Sequence, residues 1–393
     1  MTLLFALAFA ISFSTQFEGG NLGPVETVAA GHYRCPVTGE ADHQHRNRQA
    51  SWYYFRIDGA RHQALTLDLT NLVGEYNYQS GTHAVTAKTR PVYSEDQRTW
   101  QHFTERDLHW DDTRKELTIQ ITPRTNRLWI AHMPPYTNEN WARFRREIRT
   151  VSSSTIIGKS VQGRPLELLT IGTGPQVIWI LARQHAWEAG TSWMLEGALR
   201  WLLSPDPAAI RMRQQITWKI IPIGDPDGLA RGGVRYNTHG FDLNRNWDAV
   251  DPAQMPEIAA QRAAVFDWLD RGHPIHLFIT LHNQENHDYV DAPPEFTPLA
   301  QRLYTALRQR TSFWSKFPGP RETATSTTPG VKGRMSVIQG LYADRQVPGV
   351  LLETSVEPIS SLDGPRTIGD WQAFGRGLLE SSALAVEANG DSR

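Results

Sequence analysis

The sequence predicts an α/β protein: a central mixed, mostly parallel twisted sheet flanked by helices and preceded by an antiparallel β-sandwich domain. Up to about residue 135, short apolar or alternating segments are separated by turn signals, which is typical of a sandwich. Beyond that point, apolar strand segments alternate with helical segments, which favours a mostly parallel sheet covered on both faces. We therefore expect one domain over residues 1–137 and a second over residues 138–393.

The first domain is predicted from short strands in the first third of the chain. ISFSTQFEGGN indicates an edge strand and a turn. Turn signals such as Asp58-Gly59 and Asp111-Asp112 separate the segments that follow. The main strand segments are 52–57, 64–71, 115–122 and 127–133.

The second domain is predicted from the alternation of helices and apolar runs. NENWARFRREI opens it as a helix, and a Ser/Gly-rich stretch follows. GDWQAFGRGLLESSALAVE predicts a closing helix. Between them, in order, lie the strand QVIWILA, the helix TSWMLEGALRWLL, the strand TWKIIPI, a long polar loop, the helix PEIAAQRAAVFDWL and the strand HLFITL.

Composition excludes several classes of protein. The net charge of −1 provides no global field that would attract nucleic acid or an anionic membrane. The single cysteine, Cys35, excludes a disulfide within the chain and a Cys-based structural zinc site. The stretch RCPVTGEADHQHRNRQ around it contains His43 and His45, with His32 just before it, but shows no paired ligand spacing, so we expect a polar surface loop there.

The N-terminal run MTLLFALAFA leaves the location of the protein open. It ends in Ala8-Phe9-Ala10, a pattern that signal peptidases accept, so the first ten or so residues are a candidate signal segment. Against this, it has no basic n-region, since the first basic residue is Arg34. Both a cytoplasmic and an exported or periplasmic location remain open. No other run approaches the ~20 apolar residues that span a bilayer.

Reactive side chains follow the predicted strands of the second domain, where functional residues of α/β proteins tend to collect. His185 and Glu188 come after QVIWILA, and His282 ends HLFITL. Together they form a His₂Glu set, the kind of nitrogen and oxygen donor set found in catalytic zinc sites. Glu285 repeats the H-x-x-E spacing after His282 and competes as a ligand, but Glu188 is preferred because a clear helix opens behind it.

Two further groups suit the binding of a carboxylate and general-base catalysis. Asn244 and Arg245 lie between apolar Leu243 and Trp247, where an arginine is suited to a bidentate grip on a carboxylate; the alternative is an ion-paired surface corner. Glu353 ends the apolar strand GVLL, where partial desolvation would raise its pKa toward the range of a general base. The alternative for Glu353 is a structural ion pair with a nearby arginine.

These segments resemble the zinc metallocarboxypeptidases, specifically the cytosolic carboxypeptidase branch. RQHAWEAGTSWMLEGALRWLL is similar to its H-P-G-E segment and following helix, and WKIIPIGDPDGLARGGVRYNTHGFDLNRNW to its Asn-Pro-Asp-Gly to Asp-Leu-Asn-Arg-x-Trp block. FSTQFEGGNLG, SWYYFRI, LTNL and MPPYTNENW resemble the β-sandwich domain that precedes the enzyme domain in this branch. IGKSVQGRPLELLTIG matches the beginning of the catalytic domain, so the resemblance runs nearly end to end and implies the carboxypeptidase fold.

The resemblance implies a role for each of these residues. One Zn²⁺ per chain is bound by His185, Glu188 and His282, and Arg235 polarises the scissile carbonyl. Asn244 and Arg245 hold the terminal carboxylate of a peptide or protein substrate, and Glu353 is the general base. No nucleic acid or membrane partner is implied, and the oligomeric state is left open.

The sequence departs from the family pattern in ways that affect the pocket. Ala186-Trp187 replaces the Pro-Gly between two of the ligands, Asp225 replaces the first Asn of Asn-Pro-Asp-Gly, and LHNQEN replaces Leu-His-Gly-His. No counterpart is assigned to the tyrosine that closes over substrate in classical members, although Tyr342 is a candidate. Arg334 resembles a basic pocket residue of the branch, whose members often remove acidic residues. We therefore hypothesise a preference for C-terminal Glu or Asp; the alternative is a solvated loop arginine.

Two other functions compete with the peptidase. A deacylase related to the aspartoacylases would share the H-x-x-E ligands and the Asn-Arg pair, but the sandwich and the PDG-to-Trp block favour the peptidase. A binding protein that keeps the fold without catalysis would be expected to lack a ligand or the base, and here every expected position is filled.

Overall fold

Two five-stranded sheets pack face to face in the first third of the chain. The computed structural model describes residues 11–149 and 152–387, so the candidate signal segment lies outside the described residues. The strands in chain order are β1 (Ser12–Ser14), β2 (Glu26–Ala29), β3 (His32–Pro36), β4 (Glu40–Ala41), β5 (Arg48–Gln49), β6 (Tyr54–Asp58), β7 (Leu65–Thr70), β8 (Gly74–Tyr76), β9 (Gln79–Thr82), β10 (Val92–Ser94), β11 (Gln101–His102), β12 (Leu108–Asp111), β13 (Glu116–Ile121) and β14 (Arg127–Ala131).

One sheet has the order β1-β6-β14-β10-β11 and is antiparallel throughout; the other has the order β12-β13-β7-β3-β2, with a parallel pairing between β3 and β7. Alternate residues of the strands point inward, as a period-two pattern requires, and form a buried core that includes Phe55, Leu67, Ile119 and Ile130. The short pairs β4-β5 and β8-β9 form two separate ribbons.

The segment around Cys35 is the polar surface loop that its composition suggested only at residues 43–46, which form an exposed turn. It contains β3, in which Cys35 is fully buried in the sandwich core, and then the ribbon β4-β5. The burial of Tyr33 and Cys35 alternates with exposed or half-buried neighbours, so a strand of only five residues supplies two core side chains.

Strands and helices alternate in the rest of the chain, as predicted. The strands are β15 (Ser153–Lys159), β16 (Pro165–Ile171), β17 (Gln176–Ala182), β18 (Ile216–Ile221), β19 (Leu277–Gln284), β20 (Tyr289–Ala292), β21 (Arg321–Glu322) and β22 (Gly349–Ser355). The helices are α1 (Asn138–Ile148), α2 (Ala189–Leu202), α3 (Pro207–Gln215), α4 (Pro226–Arg231), α5 (Pro256–Asp270), α6 (Thr297–Arg310), α7 (Val337–Arg345) and α8 (Ile368–Glu387). Among these described helices, none is both long and apolar enough to cross a bilayer.

A mixed eight-stranded sheet with the order β15-β16-β18-β17-β19-β22-β20-β21 forms the centre. Its four middle strands, β18, β17, β19 and β22, are parallel. Ile178 and Ile180 of β17 pack on the side of α2 and α8, whereas Trp179 and Leu181 pack on the side of α5 and α7. Burial on both faces explains why QVIWILA is continuously apolar, and the predicted fold class is confirmed.

The sandwich is joined to the central sheet by an apolar contact. Trp52, Tyr54 and Trp129 belong to the same buried cluster as Trp187 and Trp193. This contact places the ribbons β4-β5 and β8-β9 beside the edge at which β17, β19 and β22 end.

Candidate active site

Three side chains with metal-binding atoms converge at the carboxyl edge of the parallel strands. His185 and Glu188 lie in the turn between β17 and α2, and His282 lies in β19. One donor atom from each lies within 4.8 Å of the others, and all three residues are buried. The predicted ligands are thus brought together because β17 and β19 are parallel neighbours.

The orientation of the two imidazoles fits a metal ion of the zinc type. Nδ1 of His185 lies 2.7 Å from Oε1 of Glu188, and Nδ1 of His282 lies 3.0 Å from Oε2 of Glu188. Each Nε2 points away, toward Oδ1 of Asp242 at 3.0 Å for His185 and toward Oγ1 of Thr280 at 2.9 Å for His282. A neutral imidazole whose Nε2–H is held by an oxygen presents its Nδ1 lone pair, which is the arrangement that metal-binding histidines use.

The charge of Glu188 also suits a cation. Burial acts against ionisation, but the positive charge and hydrogen bonds of His185 and His282 in their protonated forms outweigh it and lower the pKa of this carboxyl; a bound cation would supply the same positive charge when the imidazoles are neutral. The donor set is two imidazole nitrogens and one carboxylate, which leaves a fourth position open when zinc is tetrahedral.

Glu353 faces the same region from the neighbouring strand. It is paired in register with His282, and its side chain lines a cavity of about 310 Å³ together with Glu188 and Arg235. Its buried Oε2 has no hydrogen-bond partner among the described residues. Burial, reinforced by the negative charges of Glu188 and Glu285, raises the pKa of Glu353 well above its usual value.

Glu285, the competing candidate for the metal, is placed elsewhere. It lines the same cavity but is not part of the converging trio. Burial and the nearby Glu357 raise the pKa of Glu285 to about 7.

Arg235 approaches the trio from the loop after α4. Its Nε donates to Oδ2 of Asp242 at 2.7 Å, and the other oxygen of Asp242 is the partner of His185. Asp242 therefore links the arginine to a predicted ligand. Asp242 was not predicted from the sequence, although a signal was present, since it is the acidic residue that opens the DLNRNW segment.

Asn244 and Arg245 lie beside the trio. Asn244 is held within the protein through its Oδ1, which accepts from the backbone N of Val337 at 3.0 Å. Its Nδ2 lies 3.2 Å from Nε2 of His282 but makes no hydrogen bond to it, because that Nε2 carries the proton donated to Thr280. Arg245 donates to the carbonyl of Asn244 at 2.7 Å and approaches the hydroxyl of Tyr76 at 3.4 Å. Its buried Nε has no partner among the described residues, which leaves a donor for an anion.

A second cavity, of about 230 Å³, adjoins the first through Tyr76, Gln49 and Arg235. Arg334 lies on its wall, where it donates to Oδ1 of Asn77 at 2.7 Å and lies over the ring of Tyr78 at 5.3 Å. Five basic side chains line this cavity: Arg46, Arg235, Arg245, Lys332 and Arg334.

The hairpin formed by β8 and β9 supplies part of both cavities, which the sequence did not indicate. Tyr76 packs against the guanidinium of Arg235 at 5.4 Å, and its hydroxyl approaches Arg245. Tyr342, the candidate closing tyrosine, instead lies on α7 against Phe296 and lines neither cavity.

Comparisons with known proteins match both parts of the chain. Residues 137–291 match the zinc carboxypeptidase family, and residues 13–133 match the cytosolic carboxypeptidase N-terminal domain. An uncharacterized protein of Zymomonas mobilis, ZMO1242, is 33% identical over 63% of this chain and 62% of its own length. Mouse cytosolic carboxypeptidase 6 is 27% identical over 63% of this chain and 48% of its own length. The chain therefore matches less than two thirds of the length of these curated relatives.

Solved structures share the whole architecture. A metallo-carboxypeptidase from Burkholderia cenocepacia superposes with a TM-score of 0.81 at 22% identity, covering 97% of this chain and 100% of that chain. A metallo-carboxypeptidase from Pseudomonas aeruginosa, solved with (2-guanidinoethylmercapto)succinic acid, gives a TM-score of 0.79 at 23% identity, covering 96% and 99% of the two chains. At this identity the likeness establishes the fold. The two family matches identify a zinc carboxypeptidase domain in this chain, preceded by a cytosolic carboxypeptidase N-terminal domain.

Proposed function

We propose that this protein is a zinc-dependent carboxypeptidase that hydrolyses the C-terminal peptide bond of peptides or proteins. The observation that carries the proposal is the convergence of the His-Glu-His trio with Glu353 and Arg235 at one cavity, next to the buried Arg245. Such a set supports a metal site, a base, an oxyanion partner and a carboxylate anchor within reach of one peptide end.

His185, Glu188 and His282 would hold one zinc ion. Bound zinc supplies Lewis-acid chemistry, which makes water a nucleophile at neutral pH and polarises a carbonyl group. Glu353 takes the proton of the attacking water on its unpartnered Oε2 and delivers it to the leaving amine. Its raised pKa supports the first transfer, because a carboxylate whose conjugate acid has a raised pKa is a stronger base than one at an ordinary surface site. The protonated carboxyl is still a stronger acid than the ammonium group that forms on the leaving amine, which supports the second transfer.

Arg235 stabilises the negative charge that develops on the carbonyl oxygen. Asp242 pairs with its Nε, and no hydrogen bond to a described residue occupies the two terminal nitrogens. A guanidinium fixed in this way acts without reorganising during the reaction.

Arg245, assisted by Asn244, holds the terminal carboxylate of the substrate. The free Nε of Arg245 and the approach of Tyr76 support this role. Recognition of a terminal carboxylate at a fixed distance from the base restricts cleavage to the last peptide bond.

We further propose a preference for acidic C-terminal residues. The second cavity has five basic side chains against two carboxylates, Asp42 and Asp242. Asp242 already pairs with Arg235, and Asp42 accepts hydrogen bonds from the backbone of Arg46 and the side chain of Asn47. The remaining positive charge, to which Arg334 contributes, favours a Glu or Asp side chain.

Domain limits of 1–137 and 138–393 are part of the same proposal, and they are supported by the start of α1 at Asn138. No nucleic acid or membrane partner is proposed. The proposed function also includes one zinc ion per chain and a peptide or protein C-terminus as the substrate.

The test is to incubate the protein with zinc and peptides that end in Glu, Asp, Leu, Lys or Ala, beside N-acyl amino acids. Release of single C-terminal residues supports the peptidase. Hydrolysis of the N-acyl amino acids alone would support the deacylase instead. Strong discrimination against Glu in favour of Leu or Lys would refute the acidic preference and leave the peptidase standing.

A further inference from the structure

The loop that carries Arg235 is held by a carboxylate from the sandwich domain. Oε2 of Glu40 accepts three consecutive backbone N–H groups, from Val234 at 2.8 Å, Arg235 at 2.6 Å and Tyr236 at 2.8 Å. Its other oxygen, Oε1, accepts from Nη2 of Arg231 at 2.6 Å. Glu40 lies on the ribbon strand β4, and its side chain is 15% exposed.

Hydrogen bonds from backbone N–H groups to a charged acceptor are among the stronger ones in proteins. Three in succession on one oxygen fix the dihedral angles between them, so the loop has little freedom to change the direction of the Arg235 side chain. The contact spans the two domains, since Glu40 and Arg235 are 195 residues apart in the chain.

Two glycines allow this close approach. Gly232 adopts a positive φ of 69°, and a Cβ there would lie 2.7 Å from the carbonyl oxygens of Gly19 and Gly20. A Cβ on Gly233 would lie 3.0 Å from Oε1 of Glu40. The loop is therefore shaped for contact with the sandwich domain at two points.

The same loop also contacts the turn that carries two of the predicted ligands. The backbone N of Trp187, between His185 and Glu188, donates to the carbonyl of Val234 at 3.1 Å. Glu40 thus fixes the backbone of Arg235, and Asp242 fixes its side chain. Together the two contacts set the position of the guanidinium relative to the His-Glu-His trio.

We propose that Glu40 is a positioning residue for the reaction: by binding the amides of residues 234–236, it makes the sandwich domain part of the active site. The proposal rests on the proposed function for its kinetic consequence, and on the structure alone for the holding of the loop.

The test begins with Glu40→Gln, which removes the charge and weakens the triple contact. Because a displacement of about 1 Å can lower a rate by roughly 100-fold, we expect kcat to fall by about 10- to 100-fold. KM should change only a few-fold, because Arg245 is held by other contacts, and the zinc content should be unchanged. Glu40→Asp keeps the charge but shortens the side chain, so its kcat should fall less than that of Glu40→Gln. This variant replaces Glu40→Gln in the test if the glutamine variant folds poorly.

Glu18→Gln is the matched control. Glu18 also belongs to the sandwich domain and accepts hydrogen bonds across the interface, from the backbone N of Asn138 at 3.2 Å and of Glu139 at 3.0 Å, but it does not touch the Arg235 loop. It should leave kcat unchanged. In an Arg235→Ala background, Glu40→Gln should cause no further loss of kcat, because its effect passes through Arg235.

Hydrogen–deuterium exchange of the peptide covering residues 232–237 provides a readout independent of activity, in zinc-free and zinc-loaded protein. We expect faster exchange in Glu40→Gln and unchanged exchange in Glu18→Gln. If the wild type releases no amino acid while exchange still rises, the proposed function fails and the holding of the loop stands. If exchange and kcat are unchanged in Glu40→Gln, or if Glu18→Gln lowers kcat equally, the positioning role is overturned.

Discussion

Replacing Asp225 by asparagine is expected to stabilise the protein at neutral pH and to change little in mild acid. Asp225 is the N-cap of α4, where its Oδ1 accepts from the backbone N of Gly228 at 2.8 Å. Its Oδ2 is buried without a hydrogen-bond partner, and the nearest cation, Arg231, is 3.9 Å away. Burial therefore raises the pKa of Asp225 from 3.8 to about 7.

The direction in which the free energy of unfolding changes with pH follows from the raised pKa of Asp225. Below pH 3.8 the carboxyl is protonated in both the folded and the unfolded chain, so its ionisation does not affect stability. As the pH rises toward 7, the unfolded chain loses the proton more readily than the folded one, and the free energy of unfolding falls. A tenfold change in proton affinity is worth about 1.36 kcal/mol, so the full effect is at most about 4 kcal/mol.

Asparagine cannot ionise but keeps the oxygen that caps Gly228, and Arg231 keeps its ion pair with Glu40. We expect Asp225→Asn to raise the free energy of unfolding by about 2–4 kcal/mol at pH 8 and by much less at pH 4.5. Urea denaturation at the two pH values, with the same metal chelator throughout, measures the difference.

Asp206→Asn is the matched control, because Asp206 also caps a helix that starts with proline, but its side chain is 34% exposed. Hydrogen bonds from the backbone of Ala208 lower the pKa of Asp206, so this change should destabilise slightly at pH 8 and less in acid. If Asp225→Asn destabilises the protein at pH 8, Asp225 is ionised and held by Arg231, and the reasoning is refuted.

Three further predictions concern single side chains. Arg245→Gln should raise KM by about 10- to 100-fold with little change in kcat, since hydrogen bonds to a charged group are worth about 1.5–3 kcal/mol; steady-state kinetics measure this, and an unchanged KM would contradict it. Arg334→Gln should lower the ratio of kcat/KM for Glu-ended over Ala-ended peptides by about 10-fold, or about 1.4 kcal/mol, and an unaltered ratio would remove Arg334 from the pocket's selectivity. Asp288→Asn should lower the free energy of unfolding by about 3–5 kcal/mol, because the buried Arg366 would lose the counter-charge that lies 2.6 Å from it in the wild type. An unchanged urea midpoint would contradict this.

The parts of the fold that were predictable from the sequence are those with strong local patterns. QVIWILA was predicted as a strand over the residues that form β17, and NENWARFRREI as the helix α1. Continuous apolar character and helical periodicity are local properties, so no knowledge of distant contacts was needed. Short strands such as β4 and β8 were not predictable, because two or three residues acquire a strand conformation only through a partner elsewhere in the chain.

The candidate site likewise has parts that were predictable from the sequence and parts that were not. The meeting of His185, Glu188 and His282 could be predicted, because the carboxyl ends of neighbouring parallel strands share one edge of the sheet. The contributions of Tyr76 and Glu40 could not, since they depend on how the sandwich packs against the central sheet. The roles assigned to all of these residues remain predictions.

The most direct test of the central claim is to quantify zinc and peptide hydrolysis together in the wild type, Glu353→Gln and Glu188→Gln. We expect one equivalent of zinc and release of single C-terminal residues for the wild type. Glu353→Gln should keep the zinc and lose about 10²- to 10⁴-fold in kcat, the usual contribution of a general base, whereas Glu188→Gln should lose the zinc. A wild type that binds no zinc, or a Glu353→Gln variant that hydrolyses peptides at the wild-type rate, would contradict the account.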